Sequence, residues 1–112
     1  MTLNIFGVGT DIVKNSRIKK LIKNKKFINR IFTSSEIKDS KKINQKVLFF
    51  SKRFAAKEAF VKSLGTGFAH NINFKDINVS KKRSGRPYLT LNNKLKNILK
   101  RKLKLKKVKI FL

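Results

Sequence analysis

The stretch 45–64, QKVLFFSKRFAAKEAFVKSL, constrains the fold more than any other part of the chain. Its Ala, Leu and Lys content and its apolar spacing predict one long helix over about 44–64, closed by Gly65 in the C-terminal position. Along that helix Phe50, Phe54, Glu58 and Val61 or Lys62 share a face at i, i+4 spacing, so a carboxylate stands in an apolar stripe. Ahead of it, residues 3–8 (LNIFGV) read as a strand, about 15–25 as a basic amphipathic helix on Ile18, Leu21 and Ile22, and Phe27, Ile28, Ile31 and Phe32 as a short apolar patch. Thr33 and Glu36 have the spacing of a capping box, which gives Glu36 and Asp39 a structural explanation. Beyond it, 72–80 alternates as a strand, SGRP at 84–87 supplies a turn, and YLTL at 88–91 returns as the hairpin partner. Residues 92–104 fit a polar helix carrying Leu95, Ile98, Leu99 and Leu103, and VKIFL at 108–112 opens a last strand. The order β-α-α-α-β-β-α-β describes an α+β fold: a small antiparallel sheet packed with one long and several shorter helices.

A chain of 112 residues has room for a single domain, taken as 1–112, and 40% hydrophobic residues, ten of them Phe, supply its core. The absence of Cys excludes disulfides, thiol nucleophiles and zinc-thiolate centres. The start MTLNIFGVGTDIV has no basic region ahead of its apolar run, and no apolar stretch approaches the ~18 residues of a membrane span. The expectation is a soluble, cytoplasmic protein. Thirty basic against five acidic residues, a net charge of +25, would by itself suggest a nucleic-acid-binding protein. Yet Lys, Asn, Ile and Phe make up about half of the chain, the set favoured by A- and T-rich codons, and Lys outnumbers Arg 24 to 6, whereas phosphate recognition often uses the Arg fork. The charge therefore assigns no function, and the lysine-heavy stretch 94–109 reads as a solvated face or a contact for an anionic partner. The five acids, Asp11, Glu36, Asp39, Glu58 and Asp76, are more informative.

Two groups of residues have the composition of a phosphate-handling site. In Gly7-Val8-Gly9-Thr10-Asp11, a carboxylate follows a strand beside glycines that admit a ligand to the backbone, an arrangement suited to a hard divalent cation or, equally, to a helix cap. In the long helix, Glu58 offers a second oxygen ligand, and Arg53, Lys57 or Lys62 offers charge to a phosphate, although Glu58 and Lys62 at i, i+4 also make an ordinary surface pair. Gly65-Thr66-Gly67 then supplies small residues and backbone N–H groups for a phosphate cradle.

With these residues in place, the chain resembles the holo-acyl-carrier-protein synthases of the phosphopantetheinyl transferase superfamily. The resemblance runs in order through GVGTDIV (7–13), Arg17-Ile18, RIFTSSEI (30–37), KRFAAKEAFVKSLGTG (52–67), NFKDINV (73–79) and GRPYLTL (85–91). It implies transfer of phosphopantetheine from coenzyme A to a serine of an apo acyl-carrier protein, for fatty acid biosynthesis. It implies Mg²⁺ held by Asp11 and Glu58, Lys62 facing the phosphates, and a homotrimer with active sites between subunits. The serine hydroxyl must lose its proton, and Glu58, directly or through a metal-bound water, is the expected base. Arg53, Gly65, Thr66 and Gly67 are the candidates for the coenzyme A side. Arg17 and Phe54 match the family's partner-binding positions, where a basic helix suits an acidic carrier, with Lys20 and Lys23 added by charge alone.

The sequence departs from the family pattern in two places. The family continues past the strand represented by VKIFL into a Ser-x-Ser-His-type segment and a final strand; His70 does not occupy that histidine's position and reads as a loop residue. Lys14 stands where an acid is usual. A catalytically impaired, shortened relative and a basic nucleic-acid-binding protein are the alternative readings.

Overall fold

The computed structural model describes residues 5–105, 108–110 and 112. Its elements run α1 (Asn15–Leu21), α2 (Lys25–Ile31), α3 (Ser34–Ser40), α4 (Lys46–Ser63), a 3₁₀ turn (Phe74–Asp76), β1 (Ile77–Lys81), β2 (Pro87–Leu91) and α5 (Asn93–Arg101). β1 and β2 form an antiparallel pair in which Val79 faces Leu89, and the α+β architecture expected from the sequence is what the chain adopts.

α4 is the axis of the molecule because neighbours surround it: α1, α3 and β1 all pack on it. Its N-terminal half joins Phe49 and Phe50 to Ile18, Ile31 and Phe32. Its C-terminal half joins Phe60, Val61 and Leu64 to Ile72, Ile77, Leu95 and Leu99. The stripe expected from Phe50 through Phe54 and Glu58 is therefore not the most buried one. The deepest face runs through Phe50, Arg53, Lys57, Phe60, Val61 and Leu64, and it includes two basic residues.

Local capping chemistry fixes the boundaries. The basic helix expected to about residue 25 ends at Leu21, since Asn24 caps the next one by accepting from the Lys26 N–H at 2.9 Å. The Thr33–Glu36 capping box forms as expected, with Thr33 Oγ1 accepting from the Glu36 N–H and Glu36 Oε1 accepting from the Thr33 N–H. The strand read over 72–80 starts only at Ile77, because Asn73 and Asp76 cap each other across the 3₁₀ turn. The helix read over 92–104 stops at Arg101: Lys104 turns left-handed (φ 59°), and the Leu105 N–H donates back to the Leu99 carbonyl at 2.9 Å.

Two expected strands are not strands. Of the 3–8 segment, residues 3 and 4 lie outside the described residues, and 5–8 join no ladder because they lie against α4 rather than beside β1 or β2. Of VKIFL, Phe111 lies outside the described residues, and Val108, Lys109, Ile110 and Leu112 join no ladder. Alternation by itself does not make a strand; ladder hydrogen bonds to a neighbouring edge do.

Asp76 anchors the hairpin to α5. Burial alone would raise its carboxyl, but the Lys94 ammonium at 2.8 Å, the Asn73 N–H and the Asn92 amide hold it below its ordinary value. Its stabilising contribution is thus present above the ordinary carboxylate range and is lost as pH falls through the lowered value. Asp76→Asn is expected to cost about 1–2 kcal/mol at pH 7. Its penalty should shrink by pH 3, which urea melts at the two pH values would check.

Candidate functional site

The N-terminal segment and α4 meet because two residues lack side chains. A Cβ on Gly7 would overlap the Ser63 carbonyl oxygen, and one on Gly9 would overlap the Ala59 carbonyl oxygen. The glycines read as admitting a ligand thus admit a helix. Their close approach lays residues 7–11 along the last turns of α4 and brings Asp11 beside residues 47 and 51 positions further along the chain. Gly9→Ala is expected to displace Asp11 and lower turnover at a site built on it ten- to a hundredfold, roughly the cost of an ångström-scale misplacement. Unchanged turnover would show that the approach does not position Asp11.

Three sequence-selected residues come together there. Lys62 Nζ donates to Asp11 Oδ1 at 2.7 Å, with the lysine side chain half-exposed and the aspartate largely covered. Glu58 lies one turn before Lys62 and is half-buried. Burial pushes the Glu58 carboxyl above its ordinary value, the charge of Asp11 pushes it further, and Lys62 and Arg17 pull the other way. Lys62 is itself raised, chiefly by its hydrogen bond to Asp11. Two carboxylates and an ammonium thus lie within electrostatic reach of one another. Arg17, exposed on α1, belongs to the same electrostatic group.

The GTG segment follows Lys62 directly. Gly65 (φ +76°) and Gly67 (φ +61°) take left-handed backbone that L residues avoid, with open space where a Cβ would stand. The Gly65 N–H is committed to the Lys62 carbonyl at 3.1 Å, so of the three expected cradle donors, Thr66 and Gly67 are those without a protein acceptor among the described residues. His70 lies in the following loop, exposed and left-handed (φ 62°), as its loop assignment expected.

Other candidates lie apart from this cluster. Lys57 is fully buried and bonded to Glu36 at 2.6 Å and to the Ile31 carbonyl at 2.8 Å, so it is not free to meet a phosphate. Arg53 is on a different side of α4 from Glu58, about 140° round the helix at 100° per residue. Its guanidinium lies 3.5 Å over the Phe49 ring, burial pulls it below its ordinary value against Glu36 and Asp39, and its Nε is buried without a partner. Phe54 is half-buried and stacked on Phe74 at 5.4 Å, with Phe27 at its other side. The sequence signal for the Lys57–Glu36 pair was a lysine at apolar spacing, four residues after Arg53 and three before Phe60.

Among the described residues no group of three or more His, Asp, Glu or Cys forms a metal cluster. No described helix is long and apolar enough to cross a membrane.

Comparison with known proteins places this geometry in one family. Residues 7–109 match the 4'-phosphopantetheinyl transferase superfamily. The chain is 51% identical over 110 residues to the holo-[acyl-carrier-protein] synthase of Pelagibacter ubique, covering 98% of this chain and 86% of that protein. The crystal structure of the synthase from Neisseria meningitidis superimposes with a TM-score of 0.81 at 36% identity, over 88% of this chain and 81% of that one. The synthase of Bacillus anthracis in complex with CoA (3',5'-ADP) gives 0.73 at 37% identity, over 80% and 77%. A family match across nearly the whole chain, with relatives and solved structures of the same kind, means that this chain belongs to the holo-[acyl-carrier-protein] synthases of the 4'-phosphopantetheinyl transferase superfamily.

Proposed function

We propose that this chain, as one domain over 1–112, transfers the 4'-phosphopantetheine group from coenzyme A to a serine of an apo acyl-carrier protein in a magnesium-dependent reaction, supplying holo carrier for fatty acid synthesis in the cytoplasm. The observation that carries the reading is the meeting of Asp11 with Glu58 and Lys62 through the glycine approach. The fit to a hard divalent cation rests on the donor set: two neighbouring carboxylates, Glu58 being raised by burial first and by the charge of Asp11 second. When bound by Asp11 and Glu58, magnesium would supply neutralising charge to the pyrophosphate oxygens.

The chain's own groups do the rest. Glu58 takes the proton of the serine hydroxyl, a role suited to a carboxyl raised toward the working pH. The serine oxygen bonds to the phosphorus carrying pantetheine, the bond from that phosphorus to the departing phosphate oxygen breaks, and adenosine 3',5'-bisphosphate leaves. Lys62 offers its ammonium to the charge that develops, while Thr66 and Gly67 offer backbone N–H groups. Arg53 is proposed for a coenzyme A phosphate on the strength of its unpartnered, buried Nε.

Arg17, exposed beside Glu58, faces an acidic carrier, and Phe54 is its proposed apolar companion. Arg17→Glu is expected to raise the carrier KM about tenfold with coenzyme A affinity unchanged, the signature of lost charge complementarity. Steady-state assays varying each substrate separately read the difference. The trimer, with active sites between subunits, is supported by the large exposed apolar side chains Ile5, Phe6, Val8 and Ile12 on the segment that carries Asp11.

The deciding experiment is intact-mass analysis of an apo acyl-carrier protein incubated with this chain, coenzyme A and Mg²⁺, beside an EDTA control. A gain of one phosphopantetheinyl group only with magnesium is the expected result. No gain from a folded sample would overturn the proposed activity.

A further inference from the structure

The loop between Leu64 and Ile72 carries the Thr66 and Gly67 N–H groups, and little in its own backbone holds it. Its hydrogen bonds among the described residues, such as the Ala69 N–H to the Thr66 carbonyl at 3.3 Å and the Ile72 N–H to the Ala69 carbonyl at 3.4 Å, all stay within residues 62–73. Gly65, Gly67, His70 and Asn71 are all left-handed. For His70 and Asn71 that backbone is costly and persists only where neighbouring structure imposes it. Ala69, His70 and Asn71 are exposed, so their side chains do not supply the constraint.

The side chain that enters the interior between Leu64 and Ile72 is Phe68. Directly after Gly67, its half-buried ring packs on the cluster of Phe60, Leu64 and Leu99 and lies 4.4 Å from the ring of Phe74. Phe74 packs with the other cluster, beside Phe54, so Phe68 is seated where the two halves of the core meet. The seat is itself fixed. The Phe74 carbonyl accepts from Lys57 Nζ at 3.3 Å, and Asn73 and Asp76 bracket the turn by capping each other. A glycine has no side chain with which to orient its own peptide, so the direction of the Gly67 N–H is set by the anchors on either side, Leu64 and Phe68.

We propose that Phe68, seated on Phe74, is the positioning residue of this loop and holds the Thr66 and Gly67 N–H groups in the orientation that receives a coenzyme A phosphate. The role rests on the proposed binding of coenzyme A at Gly65-Thr66-Gly67. Phe68 acts through the backbone and not by contact with the substrate. Without its ring the glycine-rich loop spreads over many conformations, and the measured affinity falls with the fraction that remains competent. Binding of the carrier on the Arg17 side does not depend on that fraction.

The test is calorimetric titration of the full chain with coenzyme A in millimolar Mg²⁺, beside steady-state assays. Phe68→Ala should weaken coenzyme A binding about tenfold and raise its KM to match, with the carrier KM unchanged. Phe68→Leu, which keeps an apolar anchor, should recover to within about threefold of the parent chain. Phe74→Leu should cost about threefold alone and add nothing in the Phe68→Ala background, because both act through one contact. Val47→Ala, about 24 Å from the end of α4 at 1.5 Å per residue, lowers stability far from the loop and should leave the affinity within about twofold. Gly67→Ala, strained at φ +61°, should weaken binding whatever seats the loop. Weakened binding in Gly67→Ala beside unchanged binding in Phe68→Ala would overturn the positioning role and leave the binding loop standing; no change in either would overturn both. A loss in Val47→Ala equal to that in Phe68→Ala, or effects of Phe68→Ala and Phe74→Leu that multiply, would also overturn the proposal.

Discussion

Glu36→Ala is expected to destabilise this chain by about 3–5 kcal/mol, a large share of the 5–15 kcal/mol that holds a domain together. Glu36 is fully buried and satisfies three donors: its own cap at the Thr33 N–H (2.8 Å), the Val79 N–H of β1 (2.8 Å) and the Lys57 ammonium (2.6 Å). One carboxylate thus ties α3 to the sheet and to α4. Its removal leaves Lys57 charged and fully enclosed, with only the Ile31 and Phe74 carbonyls. Burial already pulls that ammonium below the ordinary lysine value, with Glu36 opposing the shift. The double variant Glu36→Gln, Lys57→Met should recover at least 1–2 kcal/mol relative to Glu36→Ala, because it removes the stranded charge and keeps an amide oxygen for a backbone donor. Urea melts read both values. A loss below 1 kcal/mol for Glu36→Ala would show that the pair does not hold the elements together.

Glu58→Gln is expected to abolish transfer, by at least about a thousandfold, because the amide neither takes the serine proton nor offers an anionic oxygen to a cation. Its fold should be intact and its Tm equal to or slightly above that of the parent chain. The sign follows from the raised carboxyl: the folded chain holds this proton more tightly than the unfolded one. Native stability therefore falls as pH rises from the ordinary carboxylate range through the raised value, and glutamine removes that penalty. Millimolar Mg²⁺ should raise the Tm of the parent chain and not that of the variant, since only a ligand of the native state shifts the melt. Near-normal turnover of the glutamine variant with magnesium would sink the assignment.

Much of this was legible in order of residues. The long helix, the Thr33–Glu36 box and the hairpin depend on contacts within a few positions, where propensity and capping act directly. The family motifs selected Asp11, Glu58 and Lys62, and the fold brings these three together. Lys57 was misread as a possible phosphate ligand because a lysine in a helix is ordinarily solvated, and only the enclosure by α3, β1 and the Phe74 turn makes it structural. The 3–8 strand was misread because alternation reports a preference for extended backbone and says nothing about which edge is available.

The sequence by itself determined the α+β class, the family and the residue types of the cluster, since these reside in residue types at fixed short spacings. Tertiary structure decided which carboxylates are free to react. Glu36 is consumed by donors from 3 to 43 residues away and Asp76 by donors from 3 to 18 residues away. Asp11 meets Lys62 and comes within electrostatic reach of Glu58 because two glycines let a segment rest on a helix backbone. Carboxylates of the same type thus become struts or stay available according to how many donors the packed chain places around them, a count that no local pattern contains.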